Sequence, residues 1–253
     1  MPRYALTLEF DGAPFVGWQR QDNGLSVQQV LENAALALND GAPAAAVAAG
    51  RTDAGVHAEG LVAHLDLARD LPPERLREAL NFHTRPHPVS VLRAALAPPG
   101  WHARFSAVGR GYRYRILNRQ PRPALDFGRV WHLQARLDAD AMHAAAQALL
   151  GRHDFSAYRA SACQAASAER TLDRLEVSRL GEEVVVQAAA RSFLHHQVRN
   201  LVGTLVQVGN GRCGVEWPRR VLEGRDRTQA GQTAPPEGLA FVYARYYLEP
   251  DWR

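Results

Sequence analysis

VAAGRTDAGVHAEGLVAHLDL, residues 47 to 67, holds a small apolar run, a short polar loop and an alternating segment in succession. Val47-Ala48-Ala49 predicts a short strand, and Leu61 to Leu67 alternates as a half-buried strand does. Between them GRTDAGVH, Gly50 to His57, places one carboxylate, Asp53, among Arg51, Thr52 and Gly55. Two glycines let the backbone turn sharply and let another molecule approach it closely. Two readings follow. Asp beside Gly is ordinary turn chemistry; an acidic residue on a tight loop at a strand end is also well placed for catalysis.

Outward from that loop, the first part of the chain reads β-α-β-β-α-β. Arg3 to Phe10 alternates as a strand and ends at Asp11-Gly12, followed by the aromatic and polar loop Phe15 to Gln21. Ser26 with Gln29 three residues on has the spacing of a capping box. The helix it starts is expected to run to about Asn39, with Val27, Val30, Leu31, Ala34, Ala35 and Leu38 on one face. Pro72-Pro73 opens a second helix ending near Phe82, with Leu76, Ala79 and Leu80 inward, and Val89 to Leu96 is a strand. Pro98-Pro99-Gly100 breaks the pattern.

The order then approximately repeats. A long strand is expected over Arg104 to Asn118 and a helix from Asp138 or Asp140 to Leu150, stopped at Gly151. Leu172–Leu180 and Val184–Ala190 make a hairpin around Gly181. Helices over His195–Val208 and Trp217–Glu223 and a last strand over Leu239–Leu248 complete it. The expected fold class is α+β: two ferredoxin-like halves, residues 1–100 and 101–253, with antiparallel or mixed sheets side by side around a central cleft.

Composition sets the class of partner. With 253 residues, 46% of them hydrophobic, and a mean hydropathy of -0.30, the chain has ample material for a core. No apolar run approaches the roughly 20 residues of a membrane span. The strand pattern starts at Tyr4, which leaves no room for a leader and makes the cytoplasm the expected location. Net charge is +4 and the sequence pI about 9.4. Arg104, Arg110, Arg113, Arg115, Arg119 and Arg122 fall close together, and guanidinium planes suit phosphate contact and stacking. An acidic partner, nucleic acid above all, fits this distribution. Cys163 and Cys213 have no CxxC partner, and no Cys/His set has zinc spacing, so neither a disulfide nor a metal is expected. The adjacent His195 and His196, if helical, point in different directions.

Two further segments carry chemistry. In Tyr112-Arg113-Tyr114-Arg115-Ile116 the tyrosines share one strand face and the arginines the other. Rings that stack on bases and guanidiniums that meet phosphates suit RNA; a tyrosine core face with a solvated Arg face reads equally well. Gly109 and Gly111 flank Arg110 and would let the strand approach a nucleic-acid backbone. In the helix from His195, Val198, Leu201, Val202, Leu205 and Val206 form a core stripe with Arg199 at its edge. An Arg there needs an acidic partner, either a structural carboxylate or Asp53.

Together these residues closely resemble the TruA family of tRNA pseudouridine synthases. AGRTDAGVHA, Ala49 to Ala58, is similar to the family's catalytic loop, and SFLHHQVRNLVGTLVQVG, Ser192 to Gly209, to its second signature. FVGWQRQ, RGYRYRILNR, ALLGRHDFSAY and GLAFVYARYYLE add weaker matches, while Gln207 to Arg225 follows the family loosely. The resemblance implies that Asp53 is the catalytic aspartate, that Tyr112 stacks on the target base, and that Arg199 pairs with the aspartate. It implies action on uridines at positions 38 to 40 of tRNA, in the anticodon stem-loop, by a homodimer without cofactor or metal. Arg51 and Thr52 beside Asp53, and Arg110, Arg113 and Arg115 on the basic strand, are expected to bind the RNA. A non-catalytic RNA-binding protein is the alternative. An aspartate-dependent hydrolase is disfavoured, because Asp53-Ala54-Gly55 has no second copy and no DxDxT is present.

Overall fold

The computed structural model describes residues 1–252. They divide into two compact units, one made of residues 1–110 with those from 241 onward, the other of residues 111–240. These units do not follow the break at Pro98 to Gly100. The long strand after the break lies partly in the first unit, and the last strand returns to it.

In the first unit β1 (Arg3–Phe10) lies between β3 (His57–Asp66) and β4 (Val89–Leu96), antiparallel to both. β2 (Val47–Ala48) pairs with β3, so the order β4-β1-β3-β2 is that of a split βαβ unit. The expected alternation in β1 is absent: Tyr4, Ala5, Leu6, Thr7 and Leu8 are all buried, as a central strand covered on both faces requires.

Helix α1 (Val27–Leu36) starts where expected, because the Ser26 hydroxyl accepts a hydrogen bond from Gln29 N at 3.1 Å. It stops three residues before Asn39. The chain tightens through Leu38 N–H to Ala35 O and Asn39 N–H to Leu36 O. The buried Asn39 side chain then donates to Ala42 O and accepts from Ala68 N, tying the helix end to the residues after β3. β3 begins four residues before Leu61, since Ala58 already pairs with Phe10 across a register shift. Helix α2 (Pro73–His83) buries Leu76 and Leu80, while Ala79 is only half-buried.

In the second unit the strand order is β5 (Ala107–Asn118), β9 (Glu183–Ala190), β8 (Glu169–Leu180), β7 (Gly151–Asp154). The first four residues of β5 belong to the other unit. Residues 104–106, expected as strand, form a turn in which Ser106 N–H donates to His102 O. Asp138, not Asp140, caps α3 (Ala139–Gln147) by accepting from Ala141 N at 2.9 Å. Gly151 was expected only to stop that helix, but it opens β7. The three-residue β6 (Trp131–Leu133), parallel to β5, was not anticipated either. Both are too short to show a period. β8 and β9 form the expected hairpin around Gly181 and Glu182, with Leu180 opposite Glu183.

Helix α4 (Gln197–Gly209) is buried nearly all round, not along one stripe. Its polar residues are used internally: Gln197 accepts from Leu194 N, Asn200 donates to Tyr158 O, and Thr204 accepts from Gly231 N. Helix α5 (Trp217–Gly224) and β10 (Leu239–Tyr246) follow. β10 ends before Leu248, because Glu249 turns back to accept from Tyr246 N. Its residues from Phe241 lie in the first unit. Among the described residues no helix is long and apolar enough to cross a membrane.

Candidate active site

The loop carrying Asp53 is held at successive points by backbone hydrogen bonds. Ala49 N–H donates to Val62 O at 2.7 Å, at the start of the loop. Thr52 O accepts from Trp18 N at 3.0 Å, and Gly55 N–H donates to Phe15 O at 3.3 Å. Within the loop Val56 N–H reaches Asp53 O at 3.2 Å, closing a turn in which Gly55 sits at φ +76, where glycine is unstrained. Asp53 is half-buried on this fixed backbone, Arg51 is exposed, and Thr52 is buried.

The brace is the segment Phe15 to Trp18, read from sequence only as an aromatic and polar loop. Phe15 and Trp18 are buried. Gly17 has φ +109, and a Cβ built there would lie 2.6 Å from Thr52 O. A glycine outside the Asp53 loop thus lets the two segments lie against one another. Gly17 O and Trp18 O in turn accept from Val27 N and Gln28 N, the start of α1. The loop therefore rests on a capped helix. FVGWQRQ was visible as a motif, but nothing local in it shows which loop it touches.

Downstream, His57 Nδ1 accepts from Gly12 N at 3.0 Å and lies 3.2 Å from Asp11 Oδ1. The turn after β1 is thereby fixed to the first residue of β3.

Arg110, expected at the RNA, is buried with 8% of its surface exposed. Its Nε donates to Ala49 O at 2.9 Å and one Nη to Arg104 O at 2.8 Å. The other expected residues of the basic strand lie in the second unit. Tyr112 is half-buried, with its ring edge-to-face on Phe193, centroids 5.2 Å apart at 89°. Phe193 lies in the second signature, just before α4, where no periodicity marks it as the partner of Tyr112. Tyr114 is fully buried and donates to Pro235 O at 2.8 Å. Burial, with Glu237 adding to it, raises the Tyr114 hydroxyl far above the usual phenol range, so it stays protonated. Of these two tyrosines only Tyr112 is less than fully buried.

Arg113 is half-buried. Arg115 is held by carboxylates: Nε donates to Glu183 at 3.0 Å and an Nη to Asp126 at 3.0 Å. The Glu183 hydrogen bonds, more than the Asp126 contact, raise its pKa despite partial burial. Its charge is already matched twice, which leaves it poorly suited to a phosphate. Arg199, on α4, is half-buried and its Nε donates to Ala234 O at 2.8 Å. Ala234 N–H returns to Arg199 O, so backbone and side chain clasp one segment.

His195 and His196 differ from expectation. They precede α4 instead of lying on it: His196 takes φ +60 as the residue before the first turn. Off the helix the two rings approach to 4.0 Å between centroids, tilted by 45°.

The fold is of the α+β class, with a half-buried carboxylate on a loop pinned by backbone hydrogen bonds. A family model described as tRNA pseudouridine synthase matches residues 7–106 and 145–247, and the chain belongs to that family. Curated relatives named tRNA pseudouridine synthase A match nearly end to end. The protein of Acidiphilium cryptum is 62% identical over 99% of this chain and 98% of its own. That of Rhodospirillum centenum is 58% identical over 97% of this chain and all of its own. The Maricaulis maris protein is 52% identical over 97% and 98%.

Proposed function

We propose that this protein isomerises uridine to pseudouridine at positions 38 to 40 of the tRNA anticodon stem-loop, with Asp53 as the nucleophile. The observation that carries the reading is the half-buried Asp53 on a loop fixed by Ala49, Thr52 and Gly55, in a chain of the tRNA pseudouridine synthase family. A carboxylate so held keeps one aim without reorganising during reaction.

The reaction is redox-neutral. The bond between the sugar C1′ and N1 of uracil breaks, the detached base turns, and C1′ bonds to C5. The proton on C5 leaves, and N1 ends as N–H. The target base must first leave its stack. Covalent attack by Asp53 splits this exchange into two easier steps.

Tyr112 stacks on the uracil and relays the C5 proton, and its lean against Phe193 supports the first of these roles. Arg199 pairs with the catalytic carboxylate, and its clasp on Ala234 restricts where its remaining donors point. The exposed Arg51, with Thr52 and Arg113, contacts the RNA. The working form is a cytoplasmic homodimer, an assignment carried by the resemblance and tested by sedimentation.

The experiment is tritium release from tRNA labelled at C5 of uridine, comparing wild type with Asp53→Ala. Release by wild type that disappears in the variant, with tRNA binding kept, supports the reading. No release by wild type leaves a non-catalytic RNA binder. Release that survives the substitution assigns the chemistry to another group.

A further inference from the structure

We infer that Arg110 is a positioning residue, which sets the first peptide of the Asp53 loop and does not bind RNA. The sequence points the other way, since Arg110 opens a run of arginines and is flanked by glycines. Burial is the first contrary sign: Arg110 has only 8% of its surface exposed, while Arg113 and Arg115 are half-buried.

A guanidinium taken out of water needs acceptors for its donors. Three backbone carbonyls are placed to serve: Ala49 O at 2.9 Å, Arg104 O at 2.8 Å and Ala107 O at 3.4 Å. Arg104 and Ala107 frame the turn leading into β5. Ala49 is the residue before Gly50, where the catalytic loop begins. Its peptide is thus gripped on both sides, by Val62 O on the N–H and by Arg110 Nε on the carbonyl.

The flanking glycine has its own explanation. A Cβ on Gly109 would come within 3.1 Å of Arg245 Nε, so that space holds another arginine of this chain. Arg245 in turn lies 5.7 Å over the Tyr243 ring. A planar fork with several donors spans the three carbonyls; a lysine ammonium, with one donor centre, cannot reach all of them in the same way. Only three residues separate Ala49 from Asp53, so a shift of the Ala49 peptide passes into the carboxylate's aim.

The inference rests on the reading of Asp53 as the reacting carboxylate, and Arg110→Lys tests it beside Asp53→Ala. The expected result for Arg110→Lys is kcat lower by roughly 10- to 100-fold. KM for tRNA and the salt dependence of binding should be unchanged. Amide hydrogen exchange should quicken in residues 50–56. A KM increase, with the slope of log K against log salt reduced by about 1, would make Arg110 a phosphate contact and overturn the inference. Wild-type kcat and unchanged exchange in 50–56 would overturn it too. Loss of activity in Asp53→Ala with wild-type behaviour in Arg110→Lys refutes this inference alone; full activity in Asp53→Ala refutes the reading beneath it.

A measurement on the unaltered protein stands if the variant does not fold. Phenylglyoxal labelling followed by mass spectrometry should mark Arg51 and leave Arg110 unmarked with or without tRNA. Labelling of Arg110 in the free protein that tRNA suppresses would sink the inference.

Discussion

Replacing Gly17 with alanine strikes the Asp53 loop from outside. Two costs add at this position. At φ +109 any side chain is strained, by about 1–3 kcal/mol. The new Cβ would also stand 2.6 Å from Thr52 O, which must move away, and that carbonyl accepts the Trp18 N–H hydrogen bond worth about 1 kcal/mol. A loss of about 3 kcal/mol is expected, and for a chain of this size each kcal/mol lowers Tm by about 2–4 °C. Gly41→Ala supplies the control, because Gly41 has φ +78 and nothing lies within 4 Å of its Cβ position. It should lose only the backbone strain, about 1–2 kcal/mol. Thermal unfolding of both variants isolates the contact with Thr52. Tritium release then reads its consequence: kcat of Gly17→Ala should fall on the order of 100-fold with tRNA affinity kept, and that of Gly41→Ala should not. Equal Tm losses in the two variants, with full turnover in Gly17→Ala, would refute the view that Phe15 to Trp18 aims the Asp53 loop.

Two further expectations concern single side chains. Burial above all, then the nearby charge of Arg3 and His102, pushes the pKa of buried His64 from 6.5 down to about 4. The unfolded chain takes up that proton first, so the His64 share of stability is full above pH 6.5 and is lost as pH falls toward 4, to a ceiling of about 3 kcal/mol. Urea unfolding of His64→Gln against wild type should therefore converge between pH 7 and 4.5, and parallel profiles would contradict the assignment. Tyr112→Phe keeps the ring against Phe193 and removes only the hydroxyl. KM for tRNA should stay within about twofold while kcat falls roughly 100-fold, the usual scale of a proton relay; unchanged turnover would leave Tyr112 with stacking alone.

Residues that act on their near neighbours were legible in the sequence. Ser26 caps α1 as its spacing implies, and β4 has the limits its alternation marks. The loop GRTDAGVH was legible as a motif, because the glycine and carboxylate that shape it lie within a few residues of one another. Helix ends and short strands were less so. Asn39 stops α1 by bonding Ala68, and Gly151 opens a strand only because β8 lies beside it. Neither partner is near in sequence. The roles of the arginines were the least legible. Arg110, Arg113 and Arg115 look alike in a run, yet Arg110 meets backbone carbonyls and Arg115 meets Glu183 and Asp126.

Sequence alone determined that this is an α+β chain whose first part has a split βαβ order, and that Asp53 stands on a glycine-framed loop between strands. Those features are written in periodicity and in turn chemistry, which act over a few residues. Tertiary structure decided that Phe15 to Trp18 and Arg110 hold that loop, that Tyr114 is core while Tyr112 is only half-buried, and that the two histidines precede their helix. Each depends on which carbonyl, ring or carboxylate the folded chain brings within about 3 to 5 Å of a side chain. Hydrogen bonds and burial are settled at that range, whatever the separation along the sequence.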